Sequence, residues 1–512
     1  MALKIIILAV FFAAMVVVGV VCRKRATDVN GFVLGGRSVG SWLTAFAYGT
    51  SYFSAVIFVG YAGQFGWKYG ISSTWIGLGN AFLGSLLAWV VLGRRTRSMT
   101  KHLSTATMPE FFEKRFGSSA LKIAASAIIF VFLIPYTASL YNGLSRLFSM
   151  AFGIDYTWCV IAMAILTGAY VILGGYFATA VNDFIQGIIM IFGIIAVVIA
   201  VINGNGGFTQ ALSALSQIPA ETNEGLQGAF TSFFGPQPLY LLGVVLLTSL
   251  GTWGLPQMVG KFYAIKNDAA IRKGTIISTV FAIIVAGGCY FLGGFGRLYG
   301  DVIEYAANGA PVYDSIIPSM LSGLPDILVG VVVILVLSAS MSTLSSLVLT
   351  SGSTLTLDVI VPARKNKPMT EKSQLLCIRL LIVFFIAVSS IIAIIQTKST
   401  VTFIAQLMGI SWGALAGAFL APFLYGLYWK RTSKYSVWAC FIAGIAIMCV
   451  NMYCTFTGNV FINDFFSSPI NAGVLAMVAG LVLTPIVSLF TKSPDKGKVN
   501  EIFSCFKDDE KE

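Results

Sequence analysis

The sequence predicts an all-α polytopic membrane protein: about thirteen transmembrane helices in a five-plus-five inverted repeat, with helices broken inside the bilayer. Three observations carry that reading. Of 512 residues, 57% are hydrophobic and only 11% charged, a balance that excludes an ordinary soluble domain. Apolar runs of about 20 residues recur along the whole chain, the length that a hydrocarbon core of roughly 30 Å demands of a helix. Basic residues cluster after every second run, as expected of a chain that crosses back and forth with its positive loops inside.

The runs fall at about 3–22, 41–66, 71–93, 119–148, 156–174, 184–203, 237–260, 274–299, 325–356, 376–396, 400–428, 435–456 and 470–491. Arg23, Lys24 and Arg25 follow the first run, whereas a secretory signal carries its basic cluster in front, so this run reads as a retained span. Arg94, Arg95, Arg97, Lys101, Lys114, Arg115 and Lys122 lie between runs three and four. Lys261, Lys266, Arg272 and Lys273 follow run seven; Arg364, Lys365, Lys367, Lys372 and Arg379 follow run nine. Lys430, Arg431 and Lys434 follow run eleven, and the tail holds Lys492, Lys496, Lys498, Lys507 and Lys511. Only Lys4, Lys68, Arg146, Arg297 and Lys398 fall on the other side. An odd number of spans in a cell membrane follows, with the N-terminus outside and the C-terminus in the cytoplasm. The net charge of +12 reflects this topology, and without a basic patch interleaved with stacking aromatics no nucleic-acid partner is expected.

The chain then divides into a leading helix with a cytoplasmic linker (1–40), a first repeat (41–203) and an external loop (204–236). That loop carries Glu221 and Glu224 but no Lys or Arg. A second repeat (237–430), two peripheral helices (431–491) and a cytoplasmic tail (492–512) complete it.

Composition also argues against an enzyme. His102 is the single histidine, and the acidic residues lie mostly in loops and the tail, so acid–base catalysis and transition-metal ligation lack their usual groups. The eight cysteines are scattered, with no zinc or redox spacing. The Gly-rich stretches at 174–180 and 293–300 lack the strand-to-helix context of a phosphate cradle, which also disfavours a nucleotide-driven pump.

Two spans invite a break at membrane depth. LTAFAYGTSYFSAVIFVGYAGQ (43–64) places Gly49, Thr50, Ser51 and Ser54 in its middle; LLTSLGTWGLPQMVGKF (246–262) gathers Gly251, Gly254 and Pro256. Proline leaves a carbonyl one turn earlier without its donor, and backbone freed in hydrocarbon must be buried in protein or line a cavity. Either cluster alone fits a simple kink. A matched pair opening runs two to six and seven to eleven points to a binding site between two inverted halves. The segment 325–355 adds hydroxyls: Ala339, Ser342 and Thr343, at i, i+3 and i+4, share one helix face. Such hydroxyls serve close helix packing. Together with freed carbonyls they also form a neutral oxygen cluster suited to a hard cation such as Na+.

The stretch from GGRSVGSWLTA (35–45) to YGLYWKR (425–431), with GGYFATAVNDFIQG (174–187), GLPQ (254–257) and MSTLS (341–345), resembles the sodium/solute symporter family, nearest its sodium/proline and sodium/pantothenate branches. The resemblance implies the five-plus-five fold with a leading extra helix. It also implies a Na+ site made of the carbonyls of Thr50, Phe53 and Ala339 with the hydroxyls of Ser342 and Thr343. Asp183 matches an acidic position on the ion exit route; a helix cap at the cytoplasmic edge is the plainer role. Ser54 and Tyr136 match solute-cavity positions of the proline branch, and Thr252, Trp253 and Gln257 join them as solute-site candidates beside the second break. Trp253 there can stack on a ligand, close the cavity or simply pack. Thr248 and Thr252 stand where the proline branch has aromatics, Tyr52 where it has an acid, and Gln257 where the pantothenate branch has histidine.

The expected function is import of a small organic solute, an amino acid such as proline or a pantothenate-like carboxylate, by sodium-coupled alternating access. Na+, the solute and the lipid bilayer are its partners, with no obligatory protein partner. A proton-coupled transporter of the same fold would want an ionisable residue at mid-depth, and spans two and ten have none. A solute sensor would want an output domain larger than the tail, and a channel would want a filter string.

Overall fold

The computed structural model describes residues 2–220, 227–364, 367–396 and 404–506. Glu221, Glu224, Lys365, Lys398, Lys507, Lys511 and the first residues of the eleventh apolar run lie outside them. Among the described residues, nine helices are long and apolar enough to cross a bilayer, and Pro238–Gly254 with Pro256–Ala264 makes a tenth, bent by 47°.

Two of the nine hold two crossings each. Tyr156–Gly204 runs for 49 residues, roughly twice what a span requires. Inside it Gly175 has φ 56° and ψ −152°, and there runs five and six part. A Cβ at Gly175 would lie 2.7 Å from the Phe32 carbonyl, so conformation and space both ask for glycine. Gly70, at φ 62°, likewise separates Ala62–Tyr69 from the helix that continues to His102. Divided at these glycines, with Ser41–Tyr52 joined to Val56–Tyr69 as one broken span and Ala2–Cys22 added, the helices and the bent pair give the thirteen crossings expected.

The apolar runs understate helix length. The third span continues through the polar Arg94–His102, because backbone hydrogen bonding does not stop where hydrocarbon does. Short helices also occupy segments expected as loops. Val29–Leu34 is capped by Asp28, which accepts from the Gly31 amide at 2.9 Å, and Met108–Phe116 is capped by Thr107. Phe208–Ser216 lies between spans six and seven and Tyr313–Ser322 before span nine.

Span nine, Asp326–Leu355, is buried on almost every face from Val332 to Thr354, as a helix at the centre of a bundle must be. Spans two, four, six and ten pack around it. Span eleven, Ile404–Tyr428, packs against spans four, twelve and thirteen and against the break in span seven. Each broken helix therefore faces an unbroken one.

Candidate functional site

The first break follows from local backbone chemistry. Helix Ser41–Tyr52 ends where Phe53 turns extended (φ −84°, ψ 122°), after its amide reaches the Gly49 carbonyl at 3.2 Å. The second half begins at Ser54, whose carbonyl accepts from Ile57 and Phe58 at 3.0 and 2.9 Å. The Thr50 carbonyl would otherwise accept from the Ser54 amide, and one such group left unpaired in hydrocarbon costs several kcal/mol. The hydroxyls of span nine answer it.

Ser342 Oγ lies 3.1 Å from the Thr50 carbonyl oxygen and 3.0 Å from that of Ala339. Thr343 Oγ1 lies 3.2 Å from Thr50, 3.4 Å from Phe53 and 3.1 Å from Ala339. All five residues are buried, with exposures of 0 to 1%. Three carbonyls and two hydroxyls thus surround one point with no net charge among them. Oxygens held about 2.4 Å from a hard cation sit roughly 3.4 Å from their neighbours, so this cluster needs little expansion to hold one. The five groups gathered here are all neutral oxygens.

Beside the break lies a cluster of buried aromatics with polar groups among them. Ser54 and Tyr136 are fully buried, and the Tyr136 hydroxyl sits beside the Ser54 hydroxyl and the Trp412 indole N–H without a close, well-aligned hydrogen bond to either. Tyr52 stacks obliquely on Trp412 with ring centroids 5.7 Å apart, and Tyr136 meets Trp412 edge-on at 5.9 Å. The Tyr52 hydroxyl and the Trp412 indole N–H are likewise buried without hydrogen-bond geometry. Four such groups around one break are what a polar solute would satisfy. The first amides of the half-helix after Ser54 lack intrahelical acceptors and carry its positive dipole end, which favours a carboxylate.

The remaining candidates are placed elsewhere. Thr252 donates to the Ser249 carbonyl at 2.7 Å and, with Tyr48, Tyr52 and Phe53, lines a cavity of about 10 Å³, room for one water. Trp253 is turned to span three, where its indole donates to the Leu83 carbonyl at 3.0 Å. Gln257 lines a separate cavity of about 50 Å³ with Tyr176, Lys261 and Ser346. The structure brings Ser54 and Tyr136 together with Tyr52 and Trp412, but not with Trp253 or Gln257.

Asp183 sits on span six with its side chain 1% exposed, so it is no solvated cap. Its partner is Lys261, 3.9 Å away and also buried. This corrects the placing of Lys261 among cytoplasmic loop residues: it belongs to the inner half of broken span seven, Pro256–Ala264. Its identity as one more basic residue near a span end hid it in the sequence, since its partner is 78 positions away. Trp412 was hidden for a different reason, because one Trp among small residues carries no periodic signal.

A helical bundle with two helices interrupted at depth, and neutral oxygens gathered at one interruption, defines an ion-coupled secondary transporter. The chain belongs to the sodium:solute symporter family, whose model matches residues 32–444. Sodium-coupled solute symport is therefore its function, and Na+ its coupling ion. It is similar to the osmoregulated proline transporter OpuE of Bacillus subtilis, 29% identical over 97% of this chain and 96% of that one. It is also similar to the sodium/proline symporter of Staphylococcus aureus, 28% identical with the same coverage. A Na+-coupled sialic acid symporter in a substrate-bound outward-open state shares the fold at a TM-score of 0.76 and 18% identity, covering 96% of this chain and 99% of that one. Mhp1, a nucleobase-cation-symport-1 transporter in a closed conformation, shares it at 0.52 and 12% identity, covering 92% and 98%.

Proposed function

We propose that Na+ binds among the carbonyls of Thr50, Phe53 and Ala339 and the hydroxyls of Ser342 and Thr343, and that its binding sets the solute pocket beside it. The convergence of these five oxygens at the break in span two supports this most directly. The ion ties span two to span nine, and Phe53 and Ser54 are consecutive residues of the break. Order at the ion site is therefore order at the pocket, which is how occupancy of one favours the other.

The solute is a small carboxylate-bearing molecule, with L-proline first among candidates. Tyr52, Tyr136 and Trp412 offer apolar walls for a compact ring, while Ser54, the Tyr136 hydroxyl and the half-helix N-terminus offer donors to a carboxylate. The names of the two proline-transporting relatives point the same way. Thr252 adds a hydroxyl at the pocket's edge, and Trp253 and Gln257 act from behind the second break, by packing and on the cytoplasmic side respectively. The halves 41–203 and 237–430 rock against each other to expose the sites alternately, with the N-terminus outside, the C-terminus in the cytoplasm and no enzymatic step.

Proteoliposomes loaded without sodium test the assignment. With an inward Na+ gradient, labelled L-proline accumulates; with choline replacing Na+, it does not. D-pantothenate accumulating in place of proline would move the substrate to that class, and uptake indifferent to Na+ would contradict the site.

A further inference from the structure

We propose that Lys261 is a resident cation on the sodium exit route, whose ammonium must turn away from Ser346 before Na+ leaves, and that Asp183 is the carboxylate that draws it aside. The proposal rests on the sodium site described above. Ser346 lies one helical turn below Ser342 and Thr343, on the same face of span nine. Its hydroxyl is 2.8 Å from that of Ser51, the residue after Thr50, so spans two and nine meet again directly beneath the ion site. Lys261 Nζ donates to Ser346 Oγ at 2.9 Å. The hydroxyls of Thr350, Ser353 and Thr354 continue this face downward and line the cavity of about 50 Å³ that Lys261 roofs. Neutral oxygens therefore lead from the ion site toward the cytoplasm, and one positive charge interrupts them.

The geometry of the pair marks it as movable. Both side chains are 3% exposed or less, yet the ammonium hydrogen-bonds the neutral Ser346 and stands 3.9 Å from Asp183 Oδ2. Neither oxygen of Asp183 has a hydrogen-bond partner among the described residues. The Tyr176 ring lies 5.2 Å from the ammonium and steadies it without a directional bond. A buried carboxylate lacking donors gains by drawing the ammonium closer. Movement of Nζ from Ser346 toward Asp183 would satisfy that carboxylate and clear the like charge from the path in one motion.

Efflux of radiolabelled Na+ from proteoliposomes lacking solute tests this, with the thermal shift produced by NaCl over choline chloride measured on each protein. In K261M the efflux should rise by about tenfold or more, because the like charge is gone. K261R, which keeps the charge, should stay at the wild-type rate. The NaCl shift should persist in both. Wild-type efflux from a K261M protein that keeps its NaCl shift would overturn the proposal. If K261M does not fold, S346A decides, since it frees the ammonium while keeping its charge, and S51A controls for the lost Ser51 contact: efflux raised in S346A above S51A supports the proposal and wild-type efflux overturns it. A wild-type protein with no NaCl shift would instead defeat the sodium site itself.

Discussion

Thr343 Oγ1 lies 3.2 Å from the carbonyl oxygen of Thr50, so the hydroxyl-rich span answers the carbonyl that the break in span two leaves without its helical partner. The contact joins folding to transport. A helix cannot open in hydrocarbon unless its freed groups are satisfied, and the groups that satisfy them are the ones a hard cation can use. A cation bound there, as proposed, would turn the hydroxyl protons outward and take over the carbonyls. The break, its repair and its chemistry are then one arrangement of the same oxygens.

The proposed solute site gives a prediction that separates stability from transport. The Tyr136 hydroxyl is buried and only loosely placed against Ser54 and the Trp412 indole, so Tyr136→Phe should change stability by less than about 1 kcal/mol. The same substitution should raise the KM for solute by about tenfold, the worth of roughly 1.4 kcal/mol in a buried hydrogen bond to a ligand. Trp412→Ala should raise KM further while keeping the NaCl-induced thermal shift. Uptake kinetics beside thermal unfolding separate the two effects.

Gly175→Ala should destabilise the protein by about 1–3 kcal/mol, through positive φ and the approach of its Cβ to the Phe32 carbonyl. This glycine lies between spans five and six, away from the five-oxygen cluster but next to Tyr176, whose ring faces Lys261, so uptake per folded molecule should hold at saturating solute while Na+ efflux responds to any shift of that ring. A lowered unfolding temperature in detergent with normal uptake after correction for folded protein is the expected result.

Arg115 fastens the helix Met108–Phe116 to the end of span eleven: its Nε donates to the Gly426 carbonyl at 2.9 Å and its Nη2 to Trp429 at 3.1 Å. Those carbonyls lie at or just past the negative end of a long helix, where a buried cation is favourably placed. Arg115→Met keeps the packing volume and removes the donors, so it should cost about 2 kcal/mol in stability. Arg115→Lys should recover only part, since one ammonium cannot reproduce the guanidinium's spread of donors. Thermal unfolding of the two variants checks this.

Much of this architecture was legible because bilayer constraints are local and periodic. Apolar run length marked the spans, Gly251, Gly254 and Pro256 marked the second break, and the i, i+3, i+4 spacing put Ala339, Ser342 and Thr343 on one face. What stayed hidden depends on non-local encounters. Lys261 and Asp183 meet only because two helices cross, and Trp412 reaches Tyr52 and Tyr136 from a different part of the chain. Trp253 and Gln257 stand next to the break in sequence, but neighbouring residues on a helix point in different directions, and these two turn toward span three and the cytoplasmic side. The short helices in the loops were missed because polar segments a few residues long give no hydropathy signal.

The most direct test is the effect of Na+ on the melting temperature of the purified protein, compared between wild type and the Ser342→Ala, Thr343→Ala double variant. NaCl in place of choline chloride should raise the wild-type melting temperature, by an amount that grows with concentration as binding linkage requires. The double variant should fold, melt slightly lower in choline and show no rise with NaCl. A double variant that keeps the full sodium-dependent rise would contradict the five-oxygen site.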